Sequence, residues 1–399
     1  MQKVKLLLIL FLGVSFYCYE FFLRILTGAY QEQIVEHFNL TTHISFSFLV
    51  SSYNITYLLM QIPAGMLLDR YGSKKVLIGA TLLCGIGNIV FILGGYELAL
   101  FGRLLVGLGS SFAFIGVLKL TLENFETKYF PIITSLVISL GTLAAAFSQN
   151  ISVIISHYDT SWINIFIYSG IAAIPLAILF QLIIPSDTES SNLMPKFSEI
   201  IKRSKEILKN SLIWKNAIWA GLLYTPTVVL TSQYGVLFFK ESYGFDTIFS
   251  TTMITAIFIG WIIFSPIMTH LCNKIDGRKI ISISIIGIML VSILICSQYM
   301  KSSALMLAFL FGVFSASQVL VWYYFNKICP AKFAAVGIAI TNMLITLVIE
   351  LGQLGAGLSI DSGDHFGIQA STSITIAFII VLIFAYVIMR SMAKKLTEN

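Results

Sequence analysis

Charged residues are what this sequence most lacks. Only 11% of its 399 residues are charged, whereas 57% are apolar, and the mean hydropathy is +0.89. A soluble protein of this length carries about 25% charged residues, which it needs to cover its core with a polar surface. The composition therefore predicts an integral membrane protein whose solvent is the lipid bilayer.

Patterns that would indicate a catalytic or ATP-driven protein are also scarce. The five cysteines show no metal-ligand spacing, so we expect neither a metal site nor a disulfide. The phosphate-binding pattern G-x-x-x-x-G-K-S/T does not occur, which argues against ATP as the energy source. The histidines fall in loops or at the ends of apolar runs, without a paired His/Asp motif. We therefore expect no cofactor and no enzyme.

Long apolar runs are what the sequence does contain. A helix needs roughly 20 apolar residues to cross a bilayer, and backbone groups in hydrocarbon must bond internally. Runs of this length therefore predict an all-α membrane protein with twelve transmembrane helices, near residues 5–26, 46–68, 76–95, 97–120, 131–155, 162–184, 214–239, 248–271, 280–298, 303–326, 333–358 and 370–392.

The distribution of lysine and arginine predicts the orientation. With the N-terminus in the cytoplasm, twenty of the 25 basic residues lie inside and three outside, while Arg103 and Lys119 fall within the fourth span. This positive-inside bias places both termini in the cytoplasm. The basic pI reflects this topology, so we infer no nucleic-acid partner. The short loops favour a bacterial inner membrane, and we expect a monomer.

The longest polar interruption divides the chain. It covers residues 185–211 and separates six predicted spans from six. We therefore predict an N-terminal six-helix bundle (1–184), a cytoplasmic linker (185–213) and a C-terminal six-helix bundle (214–399). The second part of the linker alternates apolar residues with lysine and glutamate, which predicts an amphipathic helix on the inner membrane surface.

Two inner-face loops repeat each other. "LLDRYGSKK" joins spans two and three, and "LCNKIDGRK" joins spans eight and nine. A six-plus-six chain with a degenerate repeat suggests a secondary transporter. The first loop also resembles the signature G-x-L-x-D-R-x-G-R/K-R/K of the major facilitator superfamily. A second signature of that family, R-x-x-x-G-x-G, is matched by Arg103, Gly107 and Gly109.

This resemblance implies a fold and a mechanism. Members of the family enclose a central cavity between two six-helix bundles and work by alternating access. The fifth span reads "SLGTLAAAFSQN" and lacks the antiporter signature G-P-x-x-G-G, which argues against a drug–proton antiporter. "YEFFLR" and "QIPAGMLLDRYG" are similar, weakly, to bacterial relatives in the dipeptide-carrying branch.

The charged joint between spans two and three is interpreted as a conformational latch. A carboxylate is favoured beside a helix N-terminus, and the resemblance implies that the partner of Asp69 is span eleven, which begins near Phe333. Arg70 would orient Asp69. An alternative is topology marking alone, which explains part of the basic charge. The predicted latch residues are Gly65, Asp69, Arg70, Gly72, Lys74 and Lys75.

Ionisable groups inside spans usually face a partner or a wet cavity. Glu20 in span one and Arg103 in span four reach a similar depth, and the resemblance implies that these two spans are neighbours that line the cavity. They are therefore a candidate pair for binding protons or substrate. The alternative is a local Glu20–Arg24 pair, with Arg103 as a structural fixture. Lys119 lies near the inner end of its span and is interpreted as snorkelling there.

Further polar and aromatic side chains recur at helical spacing along the predicted cavity. Glu350 is the carboxylate deep in the second half, on a stripe in span eleven. The remaining candidates for the substrate or proton site are Tyr17, Tyr53, Tyr57, Gln149, Tyr224, Gln318, Trp322, Asn342 and Thr346.

Taken together, these features favour a secondary transporter for a small polar or zwitterionic solute. An amino acid, a short peptide or an organic-acid metabolite or siderophore would suit a cavity with both charge signs and aromatics. The coupling ion is expected to be a proton. The alternatives are a multidrug or siderophore exporter of the same fold, and a non-transporting membrane sensor.

Overall fold

The computed structural model describes residues 2–40, 43–156, 161–185, 197–297, 299–330 and 334–397. Within these ranges the regular structure is helical, without strands. This agrees with the predicted all-α membrane protein, since each apolar run satisfies its own backbone groups as a helix.

The first part of the chain forms nine helices in the described ranges. They are α1 (Gln2–Ala29), α2 (Gln31–His37), α3 (His43–Tyr71), α4 (Ser73–Val90), α5 (Tyr96–Asn124), α6 (Phe130–Ser156), α7 (Trp162–Ile171), α8 (Ala173–Ile183) and α9 (Phe197–Lys209).

The second part forms eight more in the ranges described. They are α10 (Ser211–Val229), α11 (Gly235–Tyr243), α12 (Thr247–Leu271), α13 (Gly277–Cys296), α14 (Ala304–Ser315), α15 (Leu320–Ile328), α16 (Ala334–His365) and α17 (Ala370–Thr397). A π-helical turn, Leu230–Tyr234, joins α10 to α11, and a 3-10 turn, Ala316–Val319, joins α14 to α15.

The number of helices that are long and apolar enough to cross a membrane differs from the predicted twelve. Within the described residues there are ten, or up to eleven if the bent pair α10–α11 forms one span. The helix α3 is 29 residues long but does not meet this criterion, because serine, threonine, asparagine and glutamine interrupt its apolar sequence. The protein is a multi-pass integral membrane protein.

Turn and capping residues explain where several helices begin and end. Gly72 separates α3 from α4 with a φ of 80°, a left-handed value that glycine adopts without the steric cost of a side chain. The Asp246 carboxylate accepts a hydrogen bond from Phe249 N at 2.7 Å at the start of α12. Asp276 caps α13 in the same way, through Arg278 N at 2.9 Å.

The chain divides into two compact units. The first contains residues 1–130, 140–207 and 330–340, and the second contains 131–139, 208–329 and 341–399. Two short segments are therefore grouped outside the half that chain order would give them. The helix α16 belongs to the first unit at its start and to the second unit for the rest of its length.

The helix α9 occupies the second part of the predicted linker. Lys202, Lys205 and Lys209 are exposed on it, whereas Ile207 is buried. The indole Nε1 of Trp214 in α10 donates to Leu208 O at 2.6 Å, which fixes the end of α9 to the next helix. The location of α9 on the membrane surface stays a prediction.

Candidate functional site

A buried carboxylate lies at the centre of the first unit. Glu20 in α1 is only 2% exposed, and it accepts a hydrogen bond from the hydroxyl of Tyr53 in α3. Tyr53 is itself 1% exposed. A buried carboxylate is costly unless it is paired or hydrogen-bonded, so the contact with Tyr53 offsets part of that cost.

Two arginines surround this Glu20–Tyr53 pair. The guanidinium carbon of Arg103 in α5 lies 4.9 Å from the centroid of the Tyr53 ring. The guanidinium carbon of Arg24 in α1 lies 5.6 Å from the same centroid. Both guanidinium groups therefore lie beside the tyrosine that donates to Glu20. Both pairings that the sequence left open stay predictions, because the contacts of the two arginines here are to tyrosine rings and to a backbone oxygen.

The two arginines have different surroundings. Arg103 is 2% exposed, and its Nη1 donates to the backbone oxygen of Leu23 at 3.3 Å. Arg24 is half-buried, and its guanidinium lies over Tyr57 as well as Tyr53, 6.0 Å from the Tyr57 centroid. Arg103 is thus tied to the backbone of α1, while Arg24 is less completely buried.

A glycine of the second signature allows this cluster to form. Any side chain at Gly107 in α5 would overlap the backbone oxygen of Tyr53 and the hydroxyl of Thr56. That hydroxyl donates to Leu104 O at 3.0 Å. The helices α3 and α5 can therefore approach closely at Tyr53, which brings Tyr53 within reach of both Glu20 and Arg103.

Two more predicted tyrosines line this cluster. Tyr57 stacks on Tyr53, with centroids 5.8 Å apart and planes inclined by 14°. Tyr17 is 8% exposed and packs against Phe21 and Phe114, at centroid distances of 5.0 and 5.4 Å. We call Glu20, Arg24, Tyr53, Tyr57 and Arg103 the charged cluster.

The predicted residues of the second unit are more dispersed. Glu350 is exposed on α16. Thr346, one turn earlier, donates to Asn342 O at 2.9 Å and is half-buried. Gln353 Nε2 donates to Ser232 Oγ beside the π-helical turn at 3.0 Å. This stripe exists on the helix as predicted, but its carboxylate is exposed and not buried as Glu20 is.

Other predicted residues of this unit are largely packed. The ring of Tyr224 lies 5.4 Å from Trp261. Gln318 is 6% and Trp322 is 2% exposed, both near the 3-10 turn between α14 and α15. The side chain of Gln149 lies outside the described residues, so its predicted role is left as a prediction.

The predicted latch residue Asp69 makes two contacts inside the first unit. Its Oδ2 accepts a hydrogen bond from Val336 N, near the start of α16, at 3.2 Å. Its Oδ1 lies 2.8 Å from Lys119 Nζ in α5. An alanine Cβ at Gly65 would lie 2.7 Å from Ala335 O, so glycine is needed for α3 and α16 to meet there.

The pairing of Lys119 corrects the sequence interpretation. Lys119 does not simply snorkel, because it neutralises an Asp69 side chain that is only 1% exposed. The guanidinium carbon of Arg70 lies 5.3 Å from the centroid of the Tyr71 ring, and its predicted role in orienting Asp69 stays a prediction. Lys74 is half-buried and Lys75 is exposed. No local spacing could have linked Asp69 to Lys119, since 50 residues separate them.

The related loop in the second half is built differently. Asp276 takes the place of Gly72 in the repeat, and there it caps α13 and pairs with Arg278 Nη2 at 2.6 Å. The hydrogen bonds from Arg278 lower the pKa of Asp276 below its ordinary value. This carboxylate therefore caps the helix that follows it, α13.

A family model described as Major Facilitator Superfamily matches residues 9–353. The chain therefore belongs to the major facilitator superfamily, as the two signatures indicated.

The similar proteins add little detail beyond the family. An "Uncharacterized transporter YybO" of Bacillus subtilis (strain 168) is 28% identical over 268 residues, which is 61% of this chain and 59% of that protein. The match thus spans less than two thirds of this relative. Among solved structures, a variant of the Escherichia coli fucose:proton symporter FucP has a TM-score of 0.63 at 16% identity, covering 93% of this chain and 97% of that one.

A second structure of FucP, described as a major facilitator transporter in the outward conformation, gives a TM-score of 0.62 at 16% identity, with the same coverage. At this level of identity the likeness shows the fold. The predicted MFS fold is confirmed, while the similarity to the dipeptide-carrying branch stays a prediction.

Proposed function

We propose that this protein is a secondary active transporter that moves a small polar or zwitterionic solute by alternating access and couples its movement to protons. An amino acid, a short peptide or an organic-acid metabolite or siderophore is the proposed solute. The observation that carries the proposal is the charged cluster, because it places a carboxylate that is 2% exposed inside membrane-spanning helices. Such groups in membrane proteins are usually functional.

Glu20 is the proposed proton site. Protonation would remove the only negative charge of the charged cluster and weaken its attraction to Arg24 and Arg103. The arginines would then be available to another anion, which couples proton binding to solute binding. FucP, which shares the fold, is a fucose:proton symporter, and this supports the same form of coupling here.

Asp69 is the proposed latch. Its hydrogen bond to Val336 N ties the end of α3 to the start of α16, whose later part belongs to the second unit. Opening the inner face would break this contact. A carboxylate beside a helix N-terminus contributes about 0.3–2 kcal/mol, which biases a two-state equilibrium without locking it.

The proposed orientation and location of the protein rest on its sequence. We propose that both termini lie in the cytoplasm, that the protein acts as a monomer and that it resides in a bacterial inner membrane. No partner beyond lipid, solute and proton is proposed.

The test is solute flux in proteoliposomes. The purified protein is reconstituted and exposed to labelled amino acids, dipeptides and organic acids, with and without an inward proton gradient. Accumulation that the gradient increases and an ionophore abolishes supports a proton-coupled carrier. Binding without flux would favour a sensor, and formation of a product would favour an enzyme.

The direction in which a proton gradient drives the solute distinguishes the proposed carrier from an exporter of the same fold. A multidrug or siderophore exporter would move its solute out of the cell in exchange for protons that move in. Inside-out vesicles would therefore accumulate the solute. Flux that is independent of the proton gradient in both orientations would contradict the proposed coupling.

A further inference from the structure

The charged cluster carries more positive than negative charge. Glu20 contributes one carboxylate, which accepts from Tyr53, while Arg24 and Arg103 contribute two guanidinium groups, both over the ring of the same tyrosine. Guanidinium groups stay protonated in proteins. The cluster therefore holds one uncompensated positive charge when Glu20 is ionised and two when it is protonated, in a region where unpaired charge is costly.

The two arginines do not share this excess equally. Arg103 is almost fully buried, faces the Tyr53 ring and donates to Leu23 O. Within the described part of the chain, Arg24 makes cation–π contacts with two tyrosines and no hydrogen bond. A guanidinium has five N–H donors in a planar fork, and ring contacts to its face leave those donors for a ligand.

The surroundings of Arg24 suit a carboxylate. Arg24 is half-buried, so part of its surface is left uncovered by the protein. The stacked rings of Tyr53 and Tyr57 fix its position, which reduces the side-chain entropy lost on binding. An arginine fork matches a carboxylate with two parallel hydrogen bonds.

We infer that Arg24, held on the Tyr53–Tyr57 stack, is the anchor for a carboxylate group of the transported solute. Arg103 acts as a positioning residue that holds α1 against α5. This inference rests on the proposed transport function and narrows its substrate class to solutes with a free carboxylate. The neighbouring Glu20 would take the ammonium group of an amino acid or peptide, or a proton when the solute is an organic acid.

The experiment separates binding from transport. The melting temperature of the purified full-length protein is measured with amino acids, their C-terminal amides, their des-amino acids, dipeptides and hydroxy acids. The same panel is applied to Arg24→Gln and Arg24→Lys. Arg390→Gln serves as the matched control, because Arg390 also lies over a tyrosine, 5.5 Å from the Tyr386 centroid, but at the exposed end of α17.

The inference expects that at least one carboxylate solute raises the melting temperature and that its amide binds at least about tenfold more weakly, since hydrogen bonds to charged groups are strong. Arg24→Gln should lose this binding by a similar factor, Arg24→Lys should lose less, and Arg390→Gln should match the wild type. A response to the des-amino acid assigns an organic acid, and a response only to the amino acid assigns a zwitterion.

The results that overturn the inference are equally definite. Stabilisation by the amide equal to that by the acid, unchanged binding in Arg24→Gln, or no stabilisation by any carboxylate would each do so. Carboxylate binding without flux in proteoliposomes would leave the anchor standing and contradict the transport function instead. Flux of a solute without a carboxylate would support the transport function and contradict the proposed anchor.

Discussion

Lys119 is the residue whose role changed most between sequence and structure. Its contact with Asp69 at 2.8 Å makes the latch a three-part arrangement of carboxylate, lysine and the backbone of α16. Glu123 lies one turn further along α5, 3.8 Å from the same lysine. A positive charge that holds Asp69 in place thus comes from α5.

Replacing Lys119 by alanine should destabilise the protein strongly. Asp69 would keep its charge in a site where its side chain is 1% exposed, and breaking a buried pair from one side typically costs about 3–5 kcal/mol. Thermal melting in detergent should show a clear loss. The double variant Asp69→Asn with Lys119→Met should recover part of it, whereas Lys75→Ala should change little. Equal melting of Lys119→Ala and wild type would refute this pairing.

Asp276 gives a prediction that depends on pH. Because the pKa of Asp276 is lowered in the folded protein, its contribution is present above the ordinary aspartate pKa of about 3.9 and is lost as pH falls through the lower folded value. Asp276→Ala should cost about 1 kcal/mol near neutral pH. The difference in melting temperature from wild type should shrink at acid pH, and a constant difference would contradict the role of the charge.

Sequence reasoning found much of the charged cluster. The cost of an intramembrane charge, together with the family resemblance, singled out Glu20 and Arg103, and helical spacing singled out Tyr53 and Tyr57. It treated Arg24 only as a local partner, because the stack that holds it depends on how α1 and α3 meet. Such contacts depend on tertiary packing, for example on the close approach of α5 to α3 at Gly107, and this packing leaves no periodic signal in one sequence.

At the scale of helices, close approach at small residues decides which elements meet. Gly65 allows α3 to touch the backbone of α16 at Ala335 and Val336. Gly79, in the middle of α4, has open space around the position of a Cβ. The two glycines therefore offer a matched pair for a substitution by alanine.

Gly65→Ala should destabilise the protein by roughly 1–3 kcal/mol, the usual range for overpacking, since its Cβ would lie 2.7 Å from Ala335 O. Gly79→Ala should be neutral or stabilising by up to about 1 kcal/mol, because alanine is the better helix former. Thermal melting of both variants, with circular dichroism to confirm helicity, measures the difference. A Gly65→Ala variant as stable as Gly79→Ala would rule out the close contact.

The helices themselves were largely predictable, whereas their interruptions were not. Apolar length and the glycine at position 72 located α3 and α4 well. A proline inside a helix usually kinks it. Pro226 lies inside α10, but the chain departs from the α-helix at Leu230–Tyr234, beyond the proline. The 3-10 turn Ala316–Val319 has no proline at all. These local changes follow tertiary packing, which overrides the propensity of a few residues.

At the scale of the whole molecule, the latch hypothesis makes a population prediction. Spin labels at exposed Lys75 and Lys274, in a variant without the native cysteines, would report the separation of the two inner loops. Asp69→Asn should raise the longer-distance population by about 2- to 30-fold, the range that 0.3–2 kcal/mol allows. Arg390→Gln should leave the distribution unchanged. A single distance between the labels that changes neither with Asp69→Asn nor with solute would contradict the latch hypothesis.

The proposed coupling makes Glu20 essential for accumulating solute against its concentration gradient, but not for exchanging solute across the membrane. A neutral glutamine keeps the hydrogen-bonding shape while it fixes the site in a state without a titrating proton. Glu20→Gln should therefore still exchange solute across the membrane when both sides hold it. Its uptake should no longer respond to an imposed proton gradient.

The most direct measurement compares these two modes in the same proteoliposomes. Labelled solute is followed in counterflow and in gradient-driven uptake, for wild type and Glu20→Gln, over a range of external pH. The account predicts that the variant retains counterflow and loses gradient-driven accumulation, with uptake that no longer varies with pH. Accumulation by Glu20→Gln that follows the proton gradient as in the wild type would contradict it.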